Sequence, residues 1–337
     1  MFQDFTDEQR RLLANLDQFY DALITAEREM RAISLYPLHW KTVSGRDYLY
    51  QIIDSRGNAK SLGARDAETE QRHQAWHGAR DRRDGAKQRL VELGRQYGAL
   101  RLGQISSSAA AILRESDARG MLGTLLIVVG TNAMPAYEIE AQSRIGRGLD
   151  ATEDFDVAWV AGLHLSTKAA LPQSGSPIWE MLRAVDSTYT VNTERGFQVR
   201  NANAYEVELL VAPSQADSLV VGDKPVPISL PEQEWLLNGR FVDRVVCGRD
   251  GSPARIVAPD PRWFALHKLW MAEQPKRNVL KRTKDHAQGL RVLDAVFARM
   301  PHYPLDEAFA AELPDELVPY LSRWRAETQA TPPAAAW

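Results

Sequence analysis

Ala151–Val160 reads ATEDFDVAWV. The clustered acids at its start repel one another, and the apolar run behind them marks entry into a strand. Strand residues two apart point to one face, so Asp154 and Asp156 share a side. Two carboxylates a few ångströms apart make a hard oxygen site, of the kind that holds Mg²⁺ or Mn²⁺ together with substrate phosphates. An exposed acidic strand start is the ordinary alternative, because Asp-x-Asp is a common spacing.

The surroundings of the pair bear on that choice. Upstream, MLGTLLIVVG (Met121–Gly130) reads as a buried strand that is too short to span a bilayer. Gly130-Thr131-Asn132 then turns the chain into a helix with Pro135 in its first turn, where proline is tolerated. Backbone N–H groups at such a helix start bind phosphate, and glycine lets the backbone come close. A lone Gly-Thr turn is weak evidence. The order strand, Gly-Thr, helix, strand, Asp-x-Asp is stronger, with one loop for a triphosphate and one acid pair for metal. Downstream, YEVELLVAP (Tyr205–Pro213) puts Glu206 and Glu208 on one face of a further strand. Strand interiors disfavour glutamate. A third metal carboxylate is one reading, and a solvent-facing edge strand is the other.

The remaining chain frames this core. Its 337 residues suffice for two or three structural units, and a hydrophobic fraction of 44% with 25% charged residues is that of a soluble globular protein. A net charge of −3 gives no global argument for nucleic acid. The single cysteine, Cys247, allows no intrachain disulfide and fits a reducing, cytoplasmic compartment. MFQDFTDEQRRLL does not read as a signal peptide. A helix is expected from Thr6, a plausible N-cap, to about Ile33, a hairpin around Ser44-Gly45-Arg46, and helices over about 66–98 and 106–119. After the acid pair come a helix near Pro177–Asp186 and strands at TYTVN, FQVRN and YEVELLVAP. DKPVPISLP reads as a proline-rich surface connection, RFVDRVV and ARIVA as a second hairpin, and the chain is helical from Pro261.

Several stretches carry a resemblance: VVGTNAMPAYE, ATEDFD and VELLVAP, together with HWKTVSGRDYLY, SLGARDAETE, FALHKLW and KRTKDHAQ. The first three are similar to the nucleotidyltransferase fold of the DNA polymerase β superfamily. The whole set, from about Trp40 to Gln288, resembles a family of bacterial minimal-type nucleotidyltransferases. The resemblance implies that Gly130, Thr131 and Asn132 hold the triphosphate of an NTP, and that Asp154, Asp156 and Glu208 bind the divalent ions and catalyse transfer. Glu208 is a departure, since aspartate is the family's commoner third acid; its partner on the same face, Glu206, stays open as the alternative. The resemblance also brings in Lys268, in FALHKLW, and Lys281 and Lys284, which suit phosphates as point charges. Lys268 either lays its stem along apolar surface or reaches the cleft. Lys281 and Asp285 share a helix face and read equally as a surface ion pair. Lys60–Arg65 is either a basic lip over the site, with Arg65 on the nucleotide, or a hairpin-to-helix connection. Arg144 and Arg147 either neutralise phosphate or cap a helix end.

The expected fold is therefore α+β. An α/β-type nucleotidyltransferase core with a mixed sheet over 120–225 follows a helical N-terminal region containing a β-hairpin over 1–119. A C-terminal hairpin and helical region covers 226–330, and 331–337 is a disordered tail. The expected activity moves an NMP from an NTP to an RNA end, a protein hydroxyl or a small molecule, with a toxin–antitoxin or defence role by analogy. The alternative is an inactive nucleotide- or RNA-binding module that keeps the fold. Neither a membrane nor a stable DNA partner is expected. His73 and His77 have a metal-compatible spacing without a third ligand nearby, Cys247 reads as a small strand hydrophobe, and GTNAMPAYE lacks the Gly-Lys-Ser/Thr ending of a P-loop.

Overall fold

The computed structural model describes residues 2–54, 56–145, 162–167, 177–216 and 225–330. Asp154, Asp156, the strand expected at DFDVAWV, Arg147 and the tail from 331 lie outside the described residues.

Strand β1 (Gln3–Asp4) leads into helix α1 (Asp7–Ile33). Thr6 caps α1 through a reciprocal box: the Gln9 N–H donates to Thr6 Oγ1 at 3.2 Å and the Thr6 N–H to Gln9 Oε1 at 2.9 Å. Leu12, Leu13, Leu16, Tyr20, Leu23 and Ile24 form its buried stripe. Strands β2 (Leu38–Val43), β3 (Arg46–Ile52) and β4 (Ala59–Ala64) follow as an antiparallel sheet. Ser44 and Gly45 link β2 to β3 with φ of 49° and 77°, the left-handed pair that a two-residue hairpin turn requires. The Lys60–Arg65 stretch, expected as a connection or a lip, is mostly this third strand. Helix α2 (Ala67–Ala99), capped by Asp66, packs along α1. Met30, Leu38, Leu49, Trp76 and Ala79 make a small core of their own between sheet and helices.

Strand β5 (Gln104–Ile105) and helix α3 (Ser107–Ala118) lead into the central sheet. Its first strand, β6 (Leu126–Val129), ends at Gly130, and a 3-10 turn over Thr131–Ala133 opens α4 (Met134–Glu140), with β7 (Ser143–Arg144) pairing back to β1. Strand β8 (Gly162–Thr167) was not expected as an element and lies inside the sheet. After α5 (Pro177–Val185) come β9 (Thr190–Val191), β10 (Gln198–Arg200), β11 (Glu206–Val211) and the short α6 (Pro213–Ala216). The strand order is β6-β8-β11-β10-β9. β8 runs antiparallel to β6 and parallel to β11. The edge-strand alternative for β11 therefore fails: β8 and β10 flank it, and β12 (Ile228–Ser229) adds to it in parallel. DKPVPISLP is thus not only a surface connection, since it supplies β12.

Strands β13 (Val242–Gly248) and β14 (Pro253–Ala258) form the expected hairpin, which also recruits β5. Cys247 is fully buried in β13, and burial pushes its thiol up to about 12, as suits a small apolar residue. The rest is helical: α7 (Pro261–Glu273), α8 (Val279–Arg299), α9 (Glu307–Glu312) and α10 (Val318–Ala330). Gly289 lets α8 lie close on α7. A Cβ there would sit 2.7 Å from Leu269 Cγ and 2.8 Å from the Ala265 carbonyl oxygen. The architecture is mixed α+β with a helical N-terminal region carrying a hairpin sheet and a helical C-terminus. No helix among the described residues is long and apolar enough to cross a membrane.

Candidate active site

One row of paired residues fixes the site. Val129 of β6 pairs with His164 of β8, and His164 with Glu208 of β11. The Gly130-Thr131 turn at the end of β6 thus lies about 10 Å, two strand spacings, from the backbone of Glu208. Gly130 has φ 80° and ψ −158°, a region closed to side-chain-bearing residues, so the turn depends on glycine. On β11, Val207, Leu209 and Val211 are fully buried on one face, and Glu206 and Glu208 stand on the other. The two glutamates part company there. Glu206 takes the guanidinium of Arg200 and the Gln198 amide at 3.0 Å. Glu208, which accepts from the same amide at 3.3 Å, lines a cleft together with Gly130, Thr131 and Asn132.

This cleft, of about 240 Å³, is closed on the far side by α7, α8 and the 3-10 helix Pro231–Leu237. Helix periodicity explains which side chains arrive. On α8, Lys281, Lys284 and Asp285 recur at three and four and share one face. On α7, Lys268 and Met271 do the same, with His267 beside them. Lys268 is not a snorkelling surface lysine. It is 6% exposed, and its Nζ donates to Asp285 Oδ1 at 2.7 Å. Arg277 donates to the other carboxylate oxygen at 2.8 Å. Asp285 is accordingly a buried acid between two cations rather than half of a surface pair with Lys281. Burial alone would raise its carboxyl, but the attraction and hydrogen bonds of Lys268 and Arg277 outweigh burial and hold it below the usual range. Burial pushes the Lys268 ammonium down while Asp285 pulls it up, and Lys281 and Lys284 add positive charge to a cleft wall that also carries Glu208 and Glu232.

Helix α4 is only seven residues long, so the expected helix-start phosphate site draws little from a macrodipole. The lysines of α7 and α8 supply the positive field instead. Thr131 is held from that side, with Gln288 Nε2 3.3 Å from its Oγ1.

Of the residues singled out from sequence, Gly130, Thr131, Asn132, Glu208, Lys268, Lys281 and Lys284 meet in this cleft. Arg65 does not line it. It pairs with Glu70 at 2.7 Å and Asp47 at 3.3 Å and lies over the Trp40 ring in the hairpin sheet. Arg144 donates to the carbonyls of Leu100 and Arg101. His77 Nε2 lies 3.0 Å from the Leu38 carbonyl oxygen, and its ring is against His73, which places both in the hairpin lobe. The sequence reading passed over Arg277, His267 and Gln233, all of which line the cleft. His267 stands inside FALHKLW, next to Lys268, and that adjacency was the available signal. Nothing local marks Gln233 or Arg277.

A mixed α+β chain that sets a glycine turn, an acid and several lysines around one cleft has groups of the kind that suit a phosphate ligand. Residues 107–314 match the family described as Nucleotidyltransferase, and the chain belongs to that family. No curated protein and no solved structure matched it. Membership implies an NTP substrate and typically a divalent metal. Among the described residues no group of three or more His, Cys, Asp or Glu is placed to hold a metal ion. The donor chemistry fits nonetheless: the Glu208 carboxylate, which lines the same cleft as Gly130, is a hard oxygen ligand suited to Mg²⁺ or Mn²⁺.

Proposed function

We propose that this protein is a metal-dependent nucleotidyltransferase of the minimal type within the DNA polymerase β superfamily, moving an NMP from an NTP to an acceptor hydroxyl and acting in the cytoplasm. One observation carries the reading: Gly130, Glu208, Lys281 and Lys284, remote in sequence, line one cleft of about 240 Å³. Asp154, Asp156 and Glu208 would hold Mg²⁺ or Mn²⁺. When bound, such ions neutralise the triphosphate and lower the pKa of the attacking hydroxyl. The backbone at Gly130–Asn132 and the ammonium groups of Lys281 and Lys284 hold the β- and γ-phosphates. The buried Lys268–Asp285–Arg277 cluster fixes α7 against α8, so that those lysines stay aimed. The acceptor oxygen attacks the α-phosphorus, the bond from that phosphorus to the α,β-bridging oxygen breaks, and pyrophosphate leaves. Glu208 takes the hydroxyl proton or passes it to solvent. The acceptor is an RNA end, a protein hydroxyl or a small molecule, and a toxin–antitoxin or defence role belongs to the same reading.

The test incubates the protein with each α-³²P NTP, Mg²⁺ or Mn²⁺, and total RNA or cell lysate, beside Asp154→Ala/Asp156→Ala and Glu208→Ala. Label on RNA or protein in the wild type alone is the expected result. If no NTP labels any acceptor and none binds in the presence of metal, the enzyme reading fails. Metal-dependent NTP binding without transfer would favour the non-catalytic binding module.

A further inference from the structure

The cleft carries hydrogen-bonding groups beyond those assigned to the triphosphate above. Gln233, on the 3-10 helix Pro231–Leu237, is 3% exposed, and its Oε1 has no hydrogen-bond partner among the described residues. His267, on α7, is 8% exposed, and neither of its ring nitrogens has one. Both residues line the cleft. Buried polar atoms are nearly always paired, so three unpaired ones on two residues that line one cavity point to a ligand.

The character of that ligand follows from the groups. Burial and neighbouring Lys268 push His267 down to about 3, so its imidazole is neutral and offers one donor and one acceptor. The amide of Gln233 likewise offers both without charge. Their setting is mixed, with apolar side chains beside the charged Glu232 and Lys268 in the same lining. Leu236 and Met271 line the cleft with them. Outside the lining, the Trp235 and Trp270 rings meet edge to face at 5.0 Å, and His267 lies near-parallel to Trp270 at 6.4 Å. Phosphate is better served by the lysines elsewhere in the lining than by these two neutral groups. A planar heterocycle with donors and acceptors on its edge would be well served.

We propose that Gln233 and His267 read the edge of the nucleobase and so set which NTP the protein accepts, an assignment that rests on the nucleotidyltransferase reading above. An uncharged donor and acceptor set discriminates strongly, because a mismatched base leaves buried groups unpaired.

The test is calorimetric titration of the full chain with Mg²⁺ and the four non-cleavable α,β-methylene NTPs, their 2′-deoxy forms, and tripolyphosphate as the base-free probe. Gln233→Leu and His267→Phe keep volume and remove the polar atoms, and circular dichroism checks that each folds. The Gln233 variant lies outside the α7–α8 packing and keeps the test usable if the histidine variant does not fold. Wild type should bind one NTP at least about tenfold tighter than the others. Either folded variant should reduce that preference by about tenfold and leave tripolyphosphate affinity unchanged. Equal binding of all four NTPs by wild type, or a preference that survives both variants, overturns the assignment while the triphosphate site stands. A variant that changes only the ribose-to-deoxyribose ratio assigns the pair to the sugar and overturns it too. Wild type that binds neither NTPs nor tripolyphosphate removes the underlying reading and this one with it.

Discussion

In the hairpin lobe every paired strand is a chain neighbour: Val43 meets Arg46 across Ser44 and Gly45, and Ile52 meets Ala59. In the cleft sheet Val129 meets His164, and His164 meets Glu208. The lobe closes short loops, buries five residues in a core of its own and spends its charges in exposed pairs. The cleft sheet closes long loops, which form late and at a greater entropic cost. It is braced by buried charges on helices that join the chain only after Pro261. Local chemistry specifies the first. The second depends on a few residues that act only when everything else has folded, so the two should fail differently.

The largest difference is expected at Asp285. Asp285→Ala leaves Lys268 and the largely buried Arg277 without their shared acid, and breaking such a buried cluster costs about 3–5 kcal/mol. Urea denaturation should show an unfolding free energy lower by that amount, with NTP affinity falling as α7 and α8 loosen. The pH dependence has a definite sign. The carboxyl is held below its ordinary value of 3.8, so its contribution is fully present above that value and is lost as pH falls through the lowered one. The difference between wild type and Asp285→Asn should therefore be constant near neutrality and shrink only in strong acid. A difference that vanished already near pH 6 would mean that the carboxyl is not held low.

A smaller loss is expected from Gly130→Ala. The φ of 80° with ψ −158° is open essentially to glycine alone, and forcing alanine into it costs about 1–3 kcal/mol. The turn would relax and carry Thr131 away from Gln288. NTP affinity should fall while the hairpin lobe keeps its amide-exchange protection. If affinity held, the triphosphate would not rest on this turn.

The contrast between the regions also explains what could be read from residues alone. The Thr6 cap, the Ser44-Gly45 turn and the β13–β14 hairpin are local, and each announced itself in a few residues. Gly130 could be singled out only in company: Gly-Thr after an apolar run is weak evidence alone, and the helix and Asp-x-Asp that follow make it stronger. Strand β8 was not legible, since GLHLST continues directly from an apolar run and has no turn signal to set it off. Lys268 could be flagged only as an odd lysine in an apolar stretch; its meaning needed Asp285, which lies on the next helix. Gln233 carries no local sign at all, because its importance lies in a missing partner.

The smallest expected effect is at Arg65, and it sharpens the contrast most. Its guanidinium donates to Glu70 and Asp47 and covers Trp40, with half of its side chain exposed to water. Water and salt screen such pairs, and much of their Coulomb gain is offset by ordering the long side chain. Arg65→Ala should therefore leave the urea midpoint within error of wild type, and raising the salt should change the wild type and the variant alike. Because Arg65 does not line the cleft, NTP affinity should also be unchanged. A clear loss of NTP binding with an unchanged midpoint would mean that the hairpin lobe reaches the nucleotide after all. The lobe would then count as part of the active site.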